Sequence, residues 1–140
     1  MNQQMQLLKT DVLEENFYVI DSFAWIEYFG GTEKGGKVKQ YIESGKAVTP
    51  TIVIAELSNK YSRENLEFGE RLKFIKFNTR IVLLTEDIAD KSGKINVERK
   101  KLVKDWPLAD SIVLTTAREL DAKIVTGDEH FKDLPEAIMV

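Results

Sequence analysis

The sequence predicts an α/β protein of three layers, α/β/α, around a central parallel sheet of four to five strands. Three observations predict it. Phe17, Tyr18, Val19 and Ile20 form an unbroken apolar run that ends at Asp21, the pattern of a strand buried on both faces of a parallel sheet. Strand-like segments then alternate with segments of helical spacing. Finally, the stretch KIVTGD at 123–128 repeats the first motif, an apolar strand running out into an acid, with Gly127 permitting a tight turn.

Taken in order, residues 1–16 are a polar extension in which Leu7, Leu8, Val12 and Leu13 suit either a short amphipathic helix or a loosely held tail. The folded domain is expected over 17–140. After the first strand, Ser22 is a cap for a helix over Phe23–Phe29. GGTEKGGK marks a break, and Val38, Tyr41 and Ile42 give a second helix stopped by Gly45. Lys46–Thr49 is a short second strand closed by Pro50. In TIVIAELSNKYS, strand propensity competes with a Thr51 cap and the spacing of Val53, Leu57 and Tyr61, which favours a helix. A further helix is expected over Arg63–Asn78 and a third strand over Arg80–Leu84. Glu86–Lys104 is a long polar helix or a pair broken near Gly93. Asp105 is a cap for the helix containing LADSIVLTTAREL, with Pro107 in its first turn. Lys123–Thr126 is the fourth strand, and Ala137–Val140 a fifth at the sheet edge.

Composition narrows the chemistry. The 140 residues suit one domain, and 43% apolar with 31% charged residues is ordinary for a globular protein. The absence of cysteine removes disulfides, thiolate metal sites and a cysteine nucleophile. With no apolar run of membrane-spanning length and no secretory pattern at the N-terminus, a cytoplasmic protein is expected. A net charge of −3 does not point to a non-specific nucleic-acid binder. Arg99, Lys100, Lys101 and Lys104 make the most basic patch, either a solvated helix face or a contact for a nucleic-acid backbone. His130, the one histidine, argues against a histidine-rich metal site; it could approach the crevice but is read as a surface or packing residue, not as a general base.

Four acids fall where a core would not want them. Asp21 and Asp128 lie at strand ends, where open α/β sheets bind ligands. Asp110 shares the inward arc of Ala109, Val113, Leu114, Ala117 and Leu120, and Glu56 lies one turn from Ile52 and Val53. Each alone has a bland explanation as a capping, first-turn or solvated acid. Gathered into one crevice they repel, and a divalent cation removes that cost. Oxygen-only ligands suit Mg²⁺ or Mn²⁺. Ser22, Ser111 and Thr126 adjoin these motifs as donors that could orient the carboxylates, or as plain capping and strand-ending residues. Trp25, Tyr28 and Phe29 could stack on bases, but at helical spacing they are read as core or partner interface.

VIDSFAWIEYF, IVIAEL, LADSIVLTTAREL and IVTGDEHF occur in the order found in PIN-domain ribonucleases. The chain resembles that family and, within it, the VapC-type toxins of toxin–antitoxin pairs. The resemblance implies a metal-dependent endoribonuclease that hydrolyses RNA phosphodiester bonds, leaving 5′-phosphate and 3′-hydroxyl ends. It implies Asp21 and Asp110 as the main ligands of Mg²⁺ or Mn²⁺, with Asp128 and Glu56 completing the catalytic set. It further implies a cognate antitoxin and a homodimer or higher homo-oligomer. The departure is the extension before Phe17, since similar members often start near the first strand. The alternative is a non-catalytic nucleic-acid or protein-binding module on the same scaffold. A receiver domain fits less well, because VIDS supplies one acid and KIVTGD ends in an acid where a lysine is needed. A nucleotide-binding fold lacks its G-x-G-x-x-G turn.

Overall fold

The first strand, β1 (Tyr18–Ile20), is the middle of the sheet. A computed structural model describes residues 16–140, so the helix-or-tail expectation for 1–16 falls almost wholly outside the described residues. The chain continues through α1 (Ser22–Phe29), α2 (Glu33–Ile42), β2 (Ala47–Pro50), α3 (Thr51–Arg63), α4 (Gly69–Asn78) and β3 (Arg80–Val82). It then forms α5 (Glu86–Leu102), α6 (Leu108–Leu120), β4 (Lys123–Thr126), a 3₁₀ turn (Glu129–Phe131) and β5 (Ala137–Met139). The five strands are ordered β3-β2-β1-β4-β5, and every neighbouring pair is parallel. The chain therefore builds outward from β1 on one side, crosses back, and builds outward on the other. With right-handed crossovers the two sets of helices cover opposite faces, giving the expected three layers.

The apolar run of β1 has the burial its composition requires. Phe17, Val19 and Ile20 are buried, as are Val48 of β2 and Ile124 and Val125 of β4 on either side. Trp25 of α1 is fully buried and donates from Nε1 to Thr49 Oγ1 at 3.3 Å. Its ring stacks on Phe29 and meets Tyr28 and Phe74 edge-on, so this aromatic group is packing.

Local differences from the sequence reading have local causes. The cap of α1 is Asp21, not Ser22. Asp21 is extended (φ −82°, ψ 175°), and its Oδ1 accepts the Ala24 N–H at 2.8 Å. Thr51 does not cap α3; its hydroxyl accepts the Leu84 N–H at 3.0 Å, and the helix starts directly after Pro50. Arg63 closes α3, and the left-handed Asn65 (φ 56°) turns the chain before α4 begins at Gly69. Asp105 does not cap α6. Pro107 disfavours helical backbone at Trp106, so the helix starts at Leu108, with Pro107 itself extended at the cap position. Helix α5 runs unbroken through Gly93, capped by Thr85 at its start. One exposed glycine costs a helix about 1 kcal/mol, too little to break it. Strand β3 ends at Val82, leaving Leu83 and Leu84 exposed.

Helix α2 packs onto α1 at Gly35. A Cβ there would lie 2.1 Å from the Glu27 carbonyl oxygen and 2.9 Å from Tyr28 Cα, both backbone atoms. Gly35→Ala is therefore expected to separate the two helices and destabilise the protein by about 1–3 kcal/mol. Urea unfolding checks this; an unchanged midpoint would mean the helices can part at no cost.

Candidate active site

Parallel pairing of β1 with β4, with Ile20 opposite Val125, brings the two strand ends together at the C-terminal edge of the sheet. This is the switch point, because the chain leaves β1 toward β2 and returns on the other side through β4. Asp21 follows β1, and Asp128 follows β4 across Gly127. A Cβ on Gly127 would lie 2.3 Å from the Phe23 ring, so glycine lets this turn press onto α1. Thr126 joins the two acids: its hydroxyl hydrogen-bonds the Asp21 carboxylate and accepts the Asp128 N–H at 3.0 Å.

Asp21 is 5% exposed. Burial, helped by the negative charges of Asp128 and Glu56, raises its carboxyl to about 7 against the bonds from Thr126 and Ala24. Asp110, in the first turn of α6, has a side chain 13% exposed. Burial raises it to about 8, helped by the charges of Asp128, Glu56 and Asp21, and its Oδ2 is buried without a hydrogen-bond partner among the described residues. Glu56 on α3 is also raised, first by burial and then by Asp128, while a hydrogen bond with Ser22 opposes the rise. The charges acting most strongly on these acids are one another's. Residues drawn from four separate segments thus form one acidic cluster.

Ser22 and Thr126 contact the acids. Ser111 does not serve in that way: its hydroxyl accepts from Trp106 Nε1 at 2.7 Å and donates to Asn96 Oδ1 at 2.9 Å. It ties α6 to α5 and to the preceding turn. Arg99 leaves the basic patch for a similar reason. Its side chain is 7% exposed, makes two bonds to Asp133 at 2.8 and 3.0 Å, and donates to the His130 carbonyl at 3.0 Å. The guanidinium lies over the Trp106 ring, which in turn packs on Phe131. It holds the Asp133 carboxyl below the ordinary range through the hydrogen bonds. Arg99 and Trp106 therefore lock the loop after β4 against α5 and α6.

That loop brings in His130, which the sequence left as a surface or packing residue. Its backbone N–H donates to Asp128 Oδ1 at 2.9 Å. Its Nδ1 lies 3.5 Å from Asp128 Oδ1 and 4.0 Å from Asp110 Oδ2, buried and without a hydrogen-bond partner among the described residues. One ligand atom each from Asp110, Asp128 and His130 lie within 4.8 Å of one another. The D-x-H spacing was the available signal, but only the 3₁₀ turn shows that both side chains face one point. The orphaned Asp110 Oδ2, together with carboxylate and imidazole donors and no competing lysine or arginine among the strongest influences, fits a divalent cation.

A doubly wound parallel sheet carrying an acidic cluster at its switch point defines the class of α/β proteins to which the chain must be compared. A family model described as the PIN domain matches residues 18–137, and the chain belongs to that family. Among solved structures, a toxin–antitoxin complex from Klebsiella pneumoniae matches with TM-score 0.69 and 22% identity, over 87% of this chain and 96% of that one. VapBC2 from Rickettsia felis, bound to a DNA fragment from its promoter, matches with TM-score 0.68 and 16% identity, over 89% and 97%. Mycobacterium tuberculosis VapC20, a Sarcin-Ricin loop cleaving toxin, matches with TM-score 0.69 and 14% identity, over 84% and 95%. At these identities the likeness is one of fold. No curated protein matches by sequence.

Proposed function

We propose that this protein is a metal-dependent endoribonuclease of the cytoplasm and the toxin of a VapBC-type pair, with RNA as substrate and an antitoxin as partner. One observation carries the catalytic part: four carboxylates from separate segments act on one another's charge, and two of them are raised to about 7 and 8 by burial and mutual repulsion. Such an arrangement is unfavourable for an apo protein and favourable for one that binds a divalent cation. The family membership and the named toxins of the same fold support the toxin reading.

In this reading Asp21 and Asp110 are the main metal ligands, and Asp128 and Glu56 complete the set directly or through water. Bound Mg²⁺ or Mn²⁺ supplies charge that stabilises the phosphoryl oxygens and lowers the pKa of a water. Thr126 orients Asp21 and holds Asp128, Ser22 holds Glu56, and Ala24 N–H fixes one oxygen of Asp21. The protein is also taken to self-associate as a homodimer or higher oligomer.

RNA cleavage by the purified chain is expected to stop in EDTA and to return with excess Mg²⁺ or Mn²⁺. Undiminished cleavage in EDTA overturns the metal assignment. Growth arrest on expression, relieved by an adjacent small gene, tests the toxin role separately; no arrest from a cleaving protein overturns it.

A further inference from the structure

We infer that His130 is a nitrogen ligand in this metal site, which makes the site prefer Mn²⁺ to Mg²⁺. The inference rests on the metal-site reading above and adds to it a residue and a selectivity.

The geometry is that of a donor set. An octahedral ion with ligands at 2.0–2.1 Å places adjacent donors about 3 Å apart and opposite donors about 4 Å apart. His130 Nδ1 stands 3.5 Å from Asp128 Oδ1 and 4.0 Å from Asp110 Oδ2, between those limits. Both Nδ1 and Asp110 Oδ2 are buried and lack hydrogen-bond partners among the described residues. Two atoms of complementary chemistry, each unsatisfied among the described residues and 4.0 Å apart, are donors that a divalent cation between them would satisfy.

The position is also held in advance. The His130 N–H is tied to Asp128, its carbonyl to Arg99, and the next residue, Phe131, is fully buried against Trp106. The imidazole therefore starts from a backbone with little freedom, which reduces the entropy lost on ligation. For Nδ1 to coordinate, the ring carries its proton on Nε2. An imidazole nitrogen suits Mn²⁺ and the later transition ions, whereas Mg²⁺ prefers oxygen donors and retained waters.

The test is pulsed EPR on the full chain loaded with Mn²⁺ at substoichiometric ratio. Directly coordinated ¹⁴N modulation is expected in the wild type and is expected to vanish in both His130→Ala and His130→Gln. Competition titrations are expected to show the Mn²⁺-to-Mg²⁺ affinity ratio falling about 10-fold in those variants. Bound Mn²⁺ without nitrogen modulation in the wild type, or an unchanged ratio in variants whose circular dichroism is native, overturns the role of His130 while the carboxylate site stands. Failure of Mn²⁺ to bind the wild type at all overturns the metal site itself.

Discussion

Replacing Asp110 by asparagine is expected to reduce RNA cleavage more than about 100-fold and, at the same time, to stabilise the metal-free protein above neutral pH. Both effects come from one carboxylate. In the proposed site its charge holds a cation, yet in the metal-free protein that charge is buried beside Asp128, Glu56 and Asp21. The folded-state carboxyl titrates at about 8, against an ordinary 3.8. Between those values the folded protein retains a proton that the unfolded chain has released. Stability of the metal-free protein therefore falls as pH rises from about 4 to 8, by an amount on the order of a few kcal/mol. Asp21, raised to about 7, contributes in the same direction over a slightly lower range. Asparagine keeps the volume and removes the charge, so Asp110→Asn should flatten the upper part of this profile. Divalent metal should do the same for the wild type, because binding to the folded state alone adds about 2.7 kcal/mol at a concentration of 100 Kd. Thermal melts from pH 5 to 8.5, with EDTA and with Mn²⁺, check each point. A wild-type melting temperature that climbs with pH in EDTA contradicts the account, as does full cleavage by Asp110→Asn.

Arg99→Ala is expected to lower stability by about 3 kcal/mol, combining lost charged hydrogen bonds with lost packing on Trp106. For a domain of this size that corresponds to a melting temperature roughly 10 °C lower. The residue looks dispensable in the sequence, one of a cluster of cations near the end of α5. In the structure it is the contact that joins Asp133, the His130 carbonyl and the Trp106 ring. Cleavage should fall as well, because Asp128 and His130 lose the support of their loop. Arg99→Lys should recover little, since an ammonium group cannot reproduce the two-pronged bond to Asp133. By contrast Lys100→Ala, on the exposed side of the same helix, should leave stability within about 0.5 kcal/mol. Urea denaturation of the three variants provides the comparison. Equal losses in Arg99→Ala and Lys100→Ala would remove the distinction between clamp and surface.

The sequence was most readable where the signal is repetitive or chemically costly. Strand β1 shows its burial in the apolar run Phe17–Ile20 that contains it, and β4 repeats it. Asp110 stands out because an acid on an apolar helical arc has few explanations. The capping residues were less readable. Ser22 and Asp21 are both good caps, and only the backbone at the strand-to-helix junction gives the role to Asp21 and frees Ser22 for Glu56. Ser111 and Arg99 were misplaced because their partners, Asn96, Trp106 and Asp133, are many residues away or on other elements.

The parallel α/β class, the positions of Asp21 and Asp128 at strand ends, and the resemblance to PIN-domain ribonucleases were all written in the linear chain. Those follow from short-range patterns of apolar and acidic residues, which the period of a strand or helix makes visible. The orientation of His130 toward Asp110, the clamp made by Arg99 and the scaffold role of Ser111 emerge from the packed fold alone. Each of these depends on which side chains meet across a crossover, and a linear pattern carries no record of such distances.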